Sequence, residues 1–340
     1  MIKDTIRSVL DLRCAGRRTN AALLIVLIAA VVTGGLSFAA GTSIPATLAT
    51  VAHGMLGLGI VLLVPWKSVI VRRAPVLRAA SLTLLGLIMI CVVSGLVEVF
   101  AGYGVLWRLS PIQVHVGSAL LAAPLLAWHV LRHRPQRLRR TDLSRRTLLR
   151  SGALAAGAAA TYLTLEGMGR LTGSASASRI SSGSHLVSAD AIPATIWLFD
   201  QVPDIGTDHR VLVAGSAFSV SDLASRSKPI TARLDCTSGW YTDATWTAVS
   251  LADLLAAEKL SAAASIEVVS VTGYRRRFPA DEARSLWLAT AYQGQPLLAA
   301  YGAPVRLVAP HRRGFWWVKW VASVELSGVP AWGQSPYPLQ

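Results

Sequence analysis

Cys236 is the residue whose type and position point most directly to chemistry. It follows a stretch from Lys228 to Leu234 whose β-branched and alternating residues predict a strand, and a glycine-aromatic turn comes after it. Cys14 and Cys91 lie far upstream, before and within an apolar run, so no disulfide is expected. A cysteine in this position is a buried small hydrophobe, a reactive thiol or a soft thiolate ligand for a metal.

The composition divides the chain into two unlike halves. The chain has 340 residues, of which 53% are hydrophobic, and it carries a formal net charge of +15. Residues 1–150 contain 18 Lys and Arg against 4 Asp and Glu, whereas residues 151–340 contain 15 against 14. So high an apolar content predicts a membrane-embedded part. The excess of Lys and Arg lies almost entirely in the first half, where it indicates how the membrane helices are oriented. Because the second half is nearly neutral, no nucleic-acid partner is expected.

Four apolar runs predict membrane helices. They cover residues 21–40, about 50–71, 79–100 and 111–131, each near the ~20 residues that cross a hydrocarbon core of ~30 Å. Lys and Arg cluster in alternate flanking segments, which places the N-terminus and those segments in the cytoplasm. We therefore predict a multi-pass, four-helix transmembrane domain over residues 1–140, surrounded by lipid. The clusters are Lys3, Arg7, Arg13, Arg17 and Arg18; Lys67, Arg72, Arg73 and Arg78; and Arg132, Arg134, Arg137, Arg139 and Arg140.

A basic motif precedes a further Ala/Gly-rich run. Ser144-Arg145-Arg146-Thr147-Leu148-Leu149-Arg150 has the order of a twin-arginine export signal, and a mildly apolar run follows from Gly152 to Gly169. The alternative is one more cytoplasmic basic cluster before a fifth helix, and the two interpretations are compatible. We predict a twin-arginine signal and fifth-helix anchor over residues 141–170. The first four helices would then use the general secretion machinery, and the C-terminal domain would cross already folded.

The remaining chain predicts a linker, an α+β domain and a tail. Residues 171–189 are Ser/Gly/Ala-rich, residues 190–328 form the predicted extracytoplasmic domain, and residues 329–340 are a C-terminal tail. Ala175-Ser176-Ala177 also matches a small-residue cleavage site, although Arg170 favours retention of the anchor. Strands are predicted over 211–214, 266–271, 305–308 and 318–326, with a capped helix over 250–258.

Three blocks of this domain resemble the molybdopterin-binding domain of the sulfite oxidase superfamily, in its bacterial extracytoplasmic branch. The first block is residues 234–240 with 245–255, around Cys236. The second is 288–297, and the third is 301–310 running into 314–321. The predicted fold is therefore an α-helical membrane bundle of five transmembrane helices followed by an α+β domain. The resemblance implies that this domain is sulfite-oxidase-like and that its Cys236 thiolate ligates molybdenum. It also implies contacts to the pterin cofactor in the third block, from Arg306, Arg312, Arg313, Gly314 and Lys319.

The sequence departs from the family pattern where an anionic substrate would bind. Relatives active on sulfite carry additional arginines around the cysteine, whereas here Thr237-Ser238-Gly239-Trp240 follows Cys236. Tyr301 stands where the family often has histidine, and Trp316 and Trp317 replace a more polar pair. Sulfite is therefore not the expected substrate.

Two histidines lie at matching depths in the predicted membrane helices. His53 and His115 are each a few residues inside the outer end of their helix. Two imidazoles at one depth are suited to hold a b-type haem axially, which would make residues 1–140 a cytochrome b-like domain. The alternative is that each histidine lies near an interface and bonds to backbone or water. His129, nearer the inner end, is a candidate partner for a quinone.

These observations predict a membrane-bound molybdenum-dependent oxidoreductase. It would carry out two-electron oxygen-atom transfer on a small extracytoplasmic substrate and exchange electrons through a haem with a quinone or another carrier. One alternative keeps the enzyme but treats the helices as a structural anchor with a separate electron carrier. A second alternative is a non-catalytic exported binding module.

Overall fold

The computed structural model describes residues 16–39, 43–72, 79–106, 109–133, 142, 144–195 and 201–338. Cys14 and many of the cationic residues that flank the predicted spans lie outside these ranges. The chain divides into two compact units, Met1–Phe38 with Ser43–His185 and Ala39–Thr42 with Leu186–Gln340.

Five long helices form the first unit. They are α1 (Arg17–Ala39), α2 (Ile44–Arg72), α3 (Ala79–Ala101), α4 (Pro111–His133) and α5 (Arg145–Thr172). Helices α1 to α4 coincide with the four predicted spans and are long and apolar enough to cross a membrane. Their apolar side chains, such as Ile28, Val93 and Leu120, are exposed in the isolated chain, as expected of surfaces that face lipid. The four helices are therefore compatible with a membrane anchor.

Helix α5 carries the arginine motif in its first turns. The Ser144 side chain caps the helix by accepting a hydrogen bond from the Thr147 backbone N–H, so Arg145 and Arg146 begin the helix. Gly173 ends it in the left-handed conformation with φ 63°. Among the described helices only α1 to α4 have the length and composition of spans. The Ala/Gly-rich α5 is less apolar, so a fifth span stays a prediction.

The first unit continues past α5 to His185 and so includes most of the predicted linker over residues 171–189. A short 3-10 helix runs over Ala175–Ser178, and the Ser176 side chain is buried and lies 2.7 Å from the Ser174 hydroxyl. Arg179 forms an ion pair with Glu166 of α5. These polar contacts, which composition alone does not reveal, hold the segment against the helices.

Two sheets form the second unit, and their first strand begins at His185, the last residue of the first unit. The strands are β1 (His185–Leu186), β2 (Arg210–Val213), β3 (Ser216–Ser219), β4 (Lys228–Asp235), β5 (Trp240–Ser250), β6 (Ser265–Ser270), β7 (Arg275–Pro279), β8 (Trp287–Tyr292), β9 (Gln295–Pro296), β10 (Arg306–Val308) and β11 (Val321–Ser327). One sheet has the order β1-β5-β8-β10, with β4 on β5 and β9 on β8; the other has the order β3-β2-β11-β6-β7. Short helices α6 (Val220–Arg226), α7 (Leu251–Leu254) and α8 (Ala257–Ala262) complete the predicted α+β architecture.

Two predicted elements differ in their bounds. The predicted helix over 250–258 is two helices, because Leu255 and Ala256 are extended and the Leu255 side chain is buried. The strand predicted from 318 begins at Val321, since Trp320 takes a positive φ of 52° and interrupts the extended run. The apolar patterns were correct in both places, but buried turns interrupt the regular structure.

Candidate functional site

Cys236 lies at the turn between β4 and β5. Its backbone N–H donates to the Trp240 carbonyl at 2.8 Å, and Gly239 takes a φ of 97° that closes the turn. The residue is 7% exposed, so its thiol is buried beside the end of the sheet. The prediction that Cys236 follows a strand end is confirmed by this position.

Two hydroxyl groups surround the sulfur. The Cys236 Sγ lies 3.2 Å from the Ser238 hydroxyl and 3.4 Å from the Thr195 hydroxyl. The Thr195 Oγ1 also accepts a hydrogen bond from Trp240 Nε1 at 3.2 Å, which holds it in place. The thiol donates to Thr195 Oγ1, and either group can donate in the contact with Ser238. Sequence reasoning missed Thr195, which is 41 residues upstream in an irregular segment without a local motif.

Arg306 places a buried positive charge in the same part of the second unit. The residue is 2% exposed, and its guanidinium lies over the Trp246 ring at 5.0 Å and the Trp317 ring at 5.6 Å. Its Nη1 donates to the Tyr301 carbonyl at 3.0 Å, whereas its Nε has no partner among the described residues. Burial lowers the pKa of Arg306 to about 10, and the nearby Cys236 sulfur opposes this shift.

Lys319 reaches the same region from the third block. Its Nζ donates to the Thr195 carbonyl at 2.8 Å and to the Ala300 carbonyl at 2.7 Å. Thr195 therefore touches both Cys236 and Lys319. Gly302 permits the approach, because a Cβ at this position would lie 3.0 Å from the Lys319 Cβ and 3.1 Å from the Arg306 Cβ. The structure thus brings together three of the predicted site residues.

The other predicted residues of the third block have structural partners. Arg313 forms a buried ion pair with Asp235 at 2.6 Å, and Arg312 forms a half-exposed ion pair with Glu282 at 2.5 Å. Gly314 lies against the cysteine turn, where a Cβ would come within 3.1 Å of the Cys236 Cα. Contacts from these three residues to a cofactor stay a prediction. Their observed partners place the third block directly against Cys236.

Replacing Arg313 by methionine is expected to destabilise the second unit strongly. Removing one partner of a buried ion pair is strongly destabilising and costs about 3–5 kcal/mol. Arg312→Met is the matched control, because partly exposed pairs contribute about 1 kcal/mol or less. Denaturant unfolding of the full chain can be followed by tryptophan fluorescence, since 8 of the 11 tryptophans lie after residue 186. Equal losses of stability in both variants would contradict the stabilising role of the buried Arg313–Asp235 ion pair.

Tyr301, which stands where the family often has histidine, has a structural role. The Tyr301 hydroxyl donates to the Ile192 carbonyl at 2.8 Å, and the Tyr292 hydroxyl donates to the Ala189 carbonyl at 2.5 Å. Burial raises the pKa of Tyr292 to about 12, so this phenol keeps its proton. Both phenol groups therefore hold in place the chain segment that leads to Thr195.

A second arrangement lies in the first unit, where His53 and His115 face each other. Their Nε2 atoms are 3.5 Å apart and their rings are perpendicular. The His53 Nδ1 lies 2.9 Å from the Ala30 carbonyl, and the His115 Nδ1 lies 2.7 Å from the Cys91 carbonyl. A carbonyl only accepts, so each Nδ1 carries the proton and each neutral ring turns a bare Nε2 toward the other.

Glycines make room for both rings. A Cβ on Gly34 of α1 would lie 2.9 Å from the His53 ring, and a Cβ on Gly95 of α3 would lie 2.9 Å from the His115 ring. Helices α1 to α4 therefore contribute, in turn, a glycine, a histidine, a glycine and a histidine. No group of three or more His, Cys, Asp and Glu side chains suited to a metal occurs in the part of the chain that the structure describes. The arrangement offers two protein ligands only.

Comparisons with known proteins concern the second unit. Residues 201–334 match the family model described as "Oxidoreductase molybdopterin binding domain". The sulfane dehydrogenase SoxCD from Paracoccus pantotrophus is a similar solved structure, with 22% sequence identity and a TM-score of 0.34. The match covers 38% of this chain and 40% of that chain, which is less than half of either. A comparison with curated proteins finds no match.

The residues around Cys236 fit the cofactor that this family binds. A thiolate is the soft ligand that suits molybdenum, and two hydroxyls already lie beside the sulfur. The buried Arg306 has an unpartnered Nε and no carboxylate partner among the described residues, so an anionic group would complete its environment. The match over residues 201–334 agrees with the predicted resemblance at the level of the domain.

Proposed function

We propose that the chain is a membrane-bound molybdenum-dependent oxidoreductase, sulfite oxidase-like in its cofactor site, that transfers an oxygen atom to or from a small extracytoplasmic substrate. The observation that carries this proposal is the buried guanidinium of Arg306 near Cys236. An uncompensated cation is costly in a protein interior, so the site is built to receive an anion. The molybdenum-pterin cofactor, when bound, supplies the two-electron chemistry.

The residues of the chain have distinct roles around that cofactor. The Cys236 thiolate would ligate the metal, with its sulfur positioned by its contacts to the Thr195 and Ser238 hydroxyls. Arg306 offsets the negative charge of the cofactor. Lys319, fixed by two carbonyls, provides a second cation beside Thr195. Trp246 and Trp317 exclude water from the guanidinium, which strengthens its electrostatic interactions.

The substrate that suits this site is uncharged. Two hydroxyls contact the sulfur, while the positive charge of Arg313 is neutralised by Asp235 and that of Arg312 by Glu282. A dianionic substrate would need cations that these ion pairs do not supply. We therefore infer a neutral oxygen-atom donor or acceptor as the substrate class, in place of sulfite.

For the first unit we propose a single haem b between His53 and His115. A metal–imidazole bond is about 2.0–2.1 Å long, so a metal between two imidazoles separates their nitrogens by about 4 Å. The two Nε2 atoms lie 3.5 Å apart, close to this separation. Bare nitrogens facing each other in an apolar bundle repel unless a proton or a metal lies between them. The haem would exchange electrons with the membrane, for example with a quinone.

Two measurements on the purified full-length chain test these proposals. Metal and pterin analysis should find one molybdenum and one pterin per chain, and their absence would leave the non-catalytic binding module as the function. The reduced-minus-oxidised absorption spectrum should show the bands of a low-spin haem. A chain with molybdenum but without haem bands would have helices that act as an anchor, with electrons exchanged through a separate carrier.

Export of the second unit should depend on the arginine pair. Arg145→Lys with Arg146→Lys keeps the positive charge, so orientation of α1 to α4 by the positive-inside rule should persist while twin-arginine recognition is lost. A reporter fused after residue 340 should then remain in the cytoplasm. Arg139→Lys with Arg140→Lys is the matched control and should leave export unchanged. If the reporter still reaches the outside in the first variant, Arg145 and Arg146 are not a twin-arginine export signal.

A further inference from the structure

A short segment with little regular structure lies against the sulfur of Cys236. We call residues 188–195 the strap, and they lead from the strand pair of β1 and β5 to Thr195. The Thr195 hydroxyl lies 3.4 Å from the Cys236 Sγ and 2.9 Å from the Ser238 hydroxyl, and the Ile192 side chain is buried. Cys236 is itself only 7% exposed, so the strap is one of the elements that cover its thiol.

Side chains, rather than strand pairing, hold the strap to the rest of the domain. Three donors bind carbonyl oxygens that are spaced along it. These pairs of donor and acceptor are the Tyr292 hydroxyl with Ala189 at 2.5 Å, the Tyr301 hydroxyl with Ile192 at 2.8 Å, and the Lys319 Nζ with Thr195 at 2.8 Å. Among the described residues, no backbone-to-backbone hydrogen bond joins residues 188–195 to another element. The strap therefore depends on a few separate polar contacts.

The other elements around the sulfur are held more firmly. Strand β4 pairs with β5 along its whole length, from Lys228 to Asp235. The turn that contains Gly314 is held by the buried ion pair of Arg313 with Asp235 at 2.6 Å. Irregular segments with few contacts open at a lower free energy than paired strands of the core. Of the elements that cover the thiol, the strap is therefore the one that opens most readily.

Val187 marks the fixed end of the strap. Its N–H donates to the Tyr241 carbonyl of β5 at 2.9 Å, and its own carbonyl accepts a hydrogen bond from the Thr242 hydroxyl at 3.1 Å. These two bonds continue the pairing of β1 with β5. Hinges are formed by a few residues at the ends of regular elements, as Val187 is here. A swing of the strap about this residue withdraws the Thr195 hydroxyl from the sulfur while β1 stays in its sheet.

We propose that the strap is a gate that controls access to the Cys236 thiol. When the gate is closed, Thr195 covers the sulfur, and Tyr292 and Tyr301 hold the strap in place. Breaking these hydrogen bonds together lets the strap swing about Val187 and brings the thiol into contact with solvent. The gate is a property of the residues of this chain. Only its use, to admit the cofactor to the sulfur, rests on the function proposed above.

The test is the rate at which a thiol reagent modifies Cys236 in the full-length chain, prepared from cells that make no molybdopterin. Tyr292→Phe and Tyr301→Phe each remove one hydrogen bond of the closed gate and keep the ring. Each should raise the rate about two- to tenfold, which is the effect of one hydrogen bond on an equilibrium. The double variant should raise it further, because both bonds break in the same opening. Peptide mass spectrometry separates Cys236 from Cys14 and Cys91.

Tyr274→Phe is the matched control. It removes a phenol of the same unit that donates to a carbonyl outside the strap, that of Phe315 at 2.5 Å, and it should keep the wild-type rate of modification. An increase equal to that of Tyr301→Phe would show a general loosening of the domain and would overturn the gate. Tyrosine variants that all keep the wild-type rate overturn it as well.

Urea separates opening of the strap from unfolding of the chain. Opening of so short a segment exposes little surface, so the wild-type rate should change little with urea below the unfolding transition. A steep dependence there means that the thiol is reached only by unfolding, and this result overturns the gate. If Tyr301→Phe speeds modification but takes up added cofactor no faster than the wild type, the gate stands and its use in loading is wrong. Absence of molybdenum from chain made in ordinary cells overturns the proposed function, and the rates of modification still decide the gate.

Discussion

Cys236→Ser is expected to abolish oxidoreductase activity and to leave the chain with little or no bound molybdenum. A serine hydroxyl stays protonated at neutral pH and is a far poorer ligand for a soft metal than a thiolate. The fold should survive, because the Ser238 and Thr195 hydroxyls that surround the sulfur can hydrogen-bond the new hydroxyl. The measurement combines substrate turnover, molybdenum content and the unfolding midpoint of the purified full-length variant.

Cys91→Ser is the matched control for this experiment. It makes the same chemical change in the other unit, where Cys91 belongs to α3, and it should keep the wild-type molybdenum content. Full activity and full metal content in Cys236→Ser would contradict the assignment of the ligand. Loss of activity with the metal retained would show that the cysteine acts on the substrate instead.

His53→Ala and His115→Ala should each remove the haem from the first unit. Either change leaves one imidazole, and a low-spin iron centre needs both axial ligands. The reduced-minus-oxidised spectrum should lose its low-spin bands in both variants, while molybdenum content in the second unit stays at the wild-type level. Electron exchange between a membrane quinone and the molybdenum centre should fail, although artificial electron carriers should still support turnover.

His133→Ala is the control for the haem prediction. His133 is the last residue of α4, and it should not alter the spectrum. The pair His53 and His115 is not a haem site if both of their variants keep the wild-type bands. If only one of the two variants loses the haem bands, the iron has a single protein ligand.

Local pattern was enough to predict the elements that carry the sites. The apolar runs predicted all four described helices of span length, and the alternation from Lys228 to Leu234 predicted β4. Both patterns depend only on residues that are close together in the chain. The position of Cys236 at the end of β4 follows from the same pattern. Arg306 was a candidate from the third block, but its burial between two tryptophans was not visible in the sequence.

The contacts that complete the sites join residues distant in the chain. Thr195 and Cys236 meet only because the chain returns to the end of β4, and no motif marks Thr195. The Ala30 and Cys91 carbonyls that orient the histidines are backbone atoms, to which the residue type gives no clue. Such long-range contacts are set by packing, for which one sequence holds no direct signal.

The folded segment after α5 affects the timing of any proteolytic processing. A leader peptidase binds its substrate as an extended strand, whereas Ala175–Ser178 is helical and Ser176 is buried against Gly169. Unwinding it also breaks the Arg179 ion pair and the contact of His185 with the Ala175 carbonyl. Cleavage at Ala175-Ser176-Ala177 therefore competes kinetically with folding. We therefore expect packing of the segment to protect this peptide bond from cleavage.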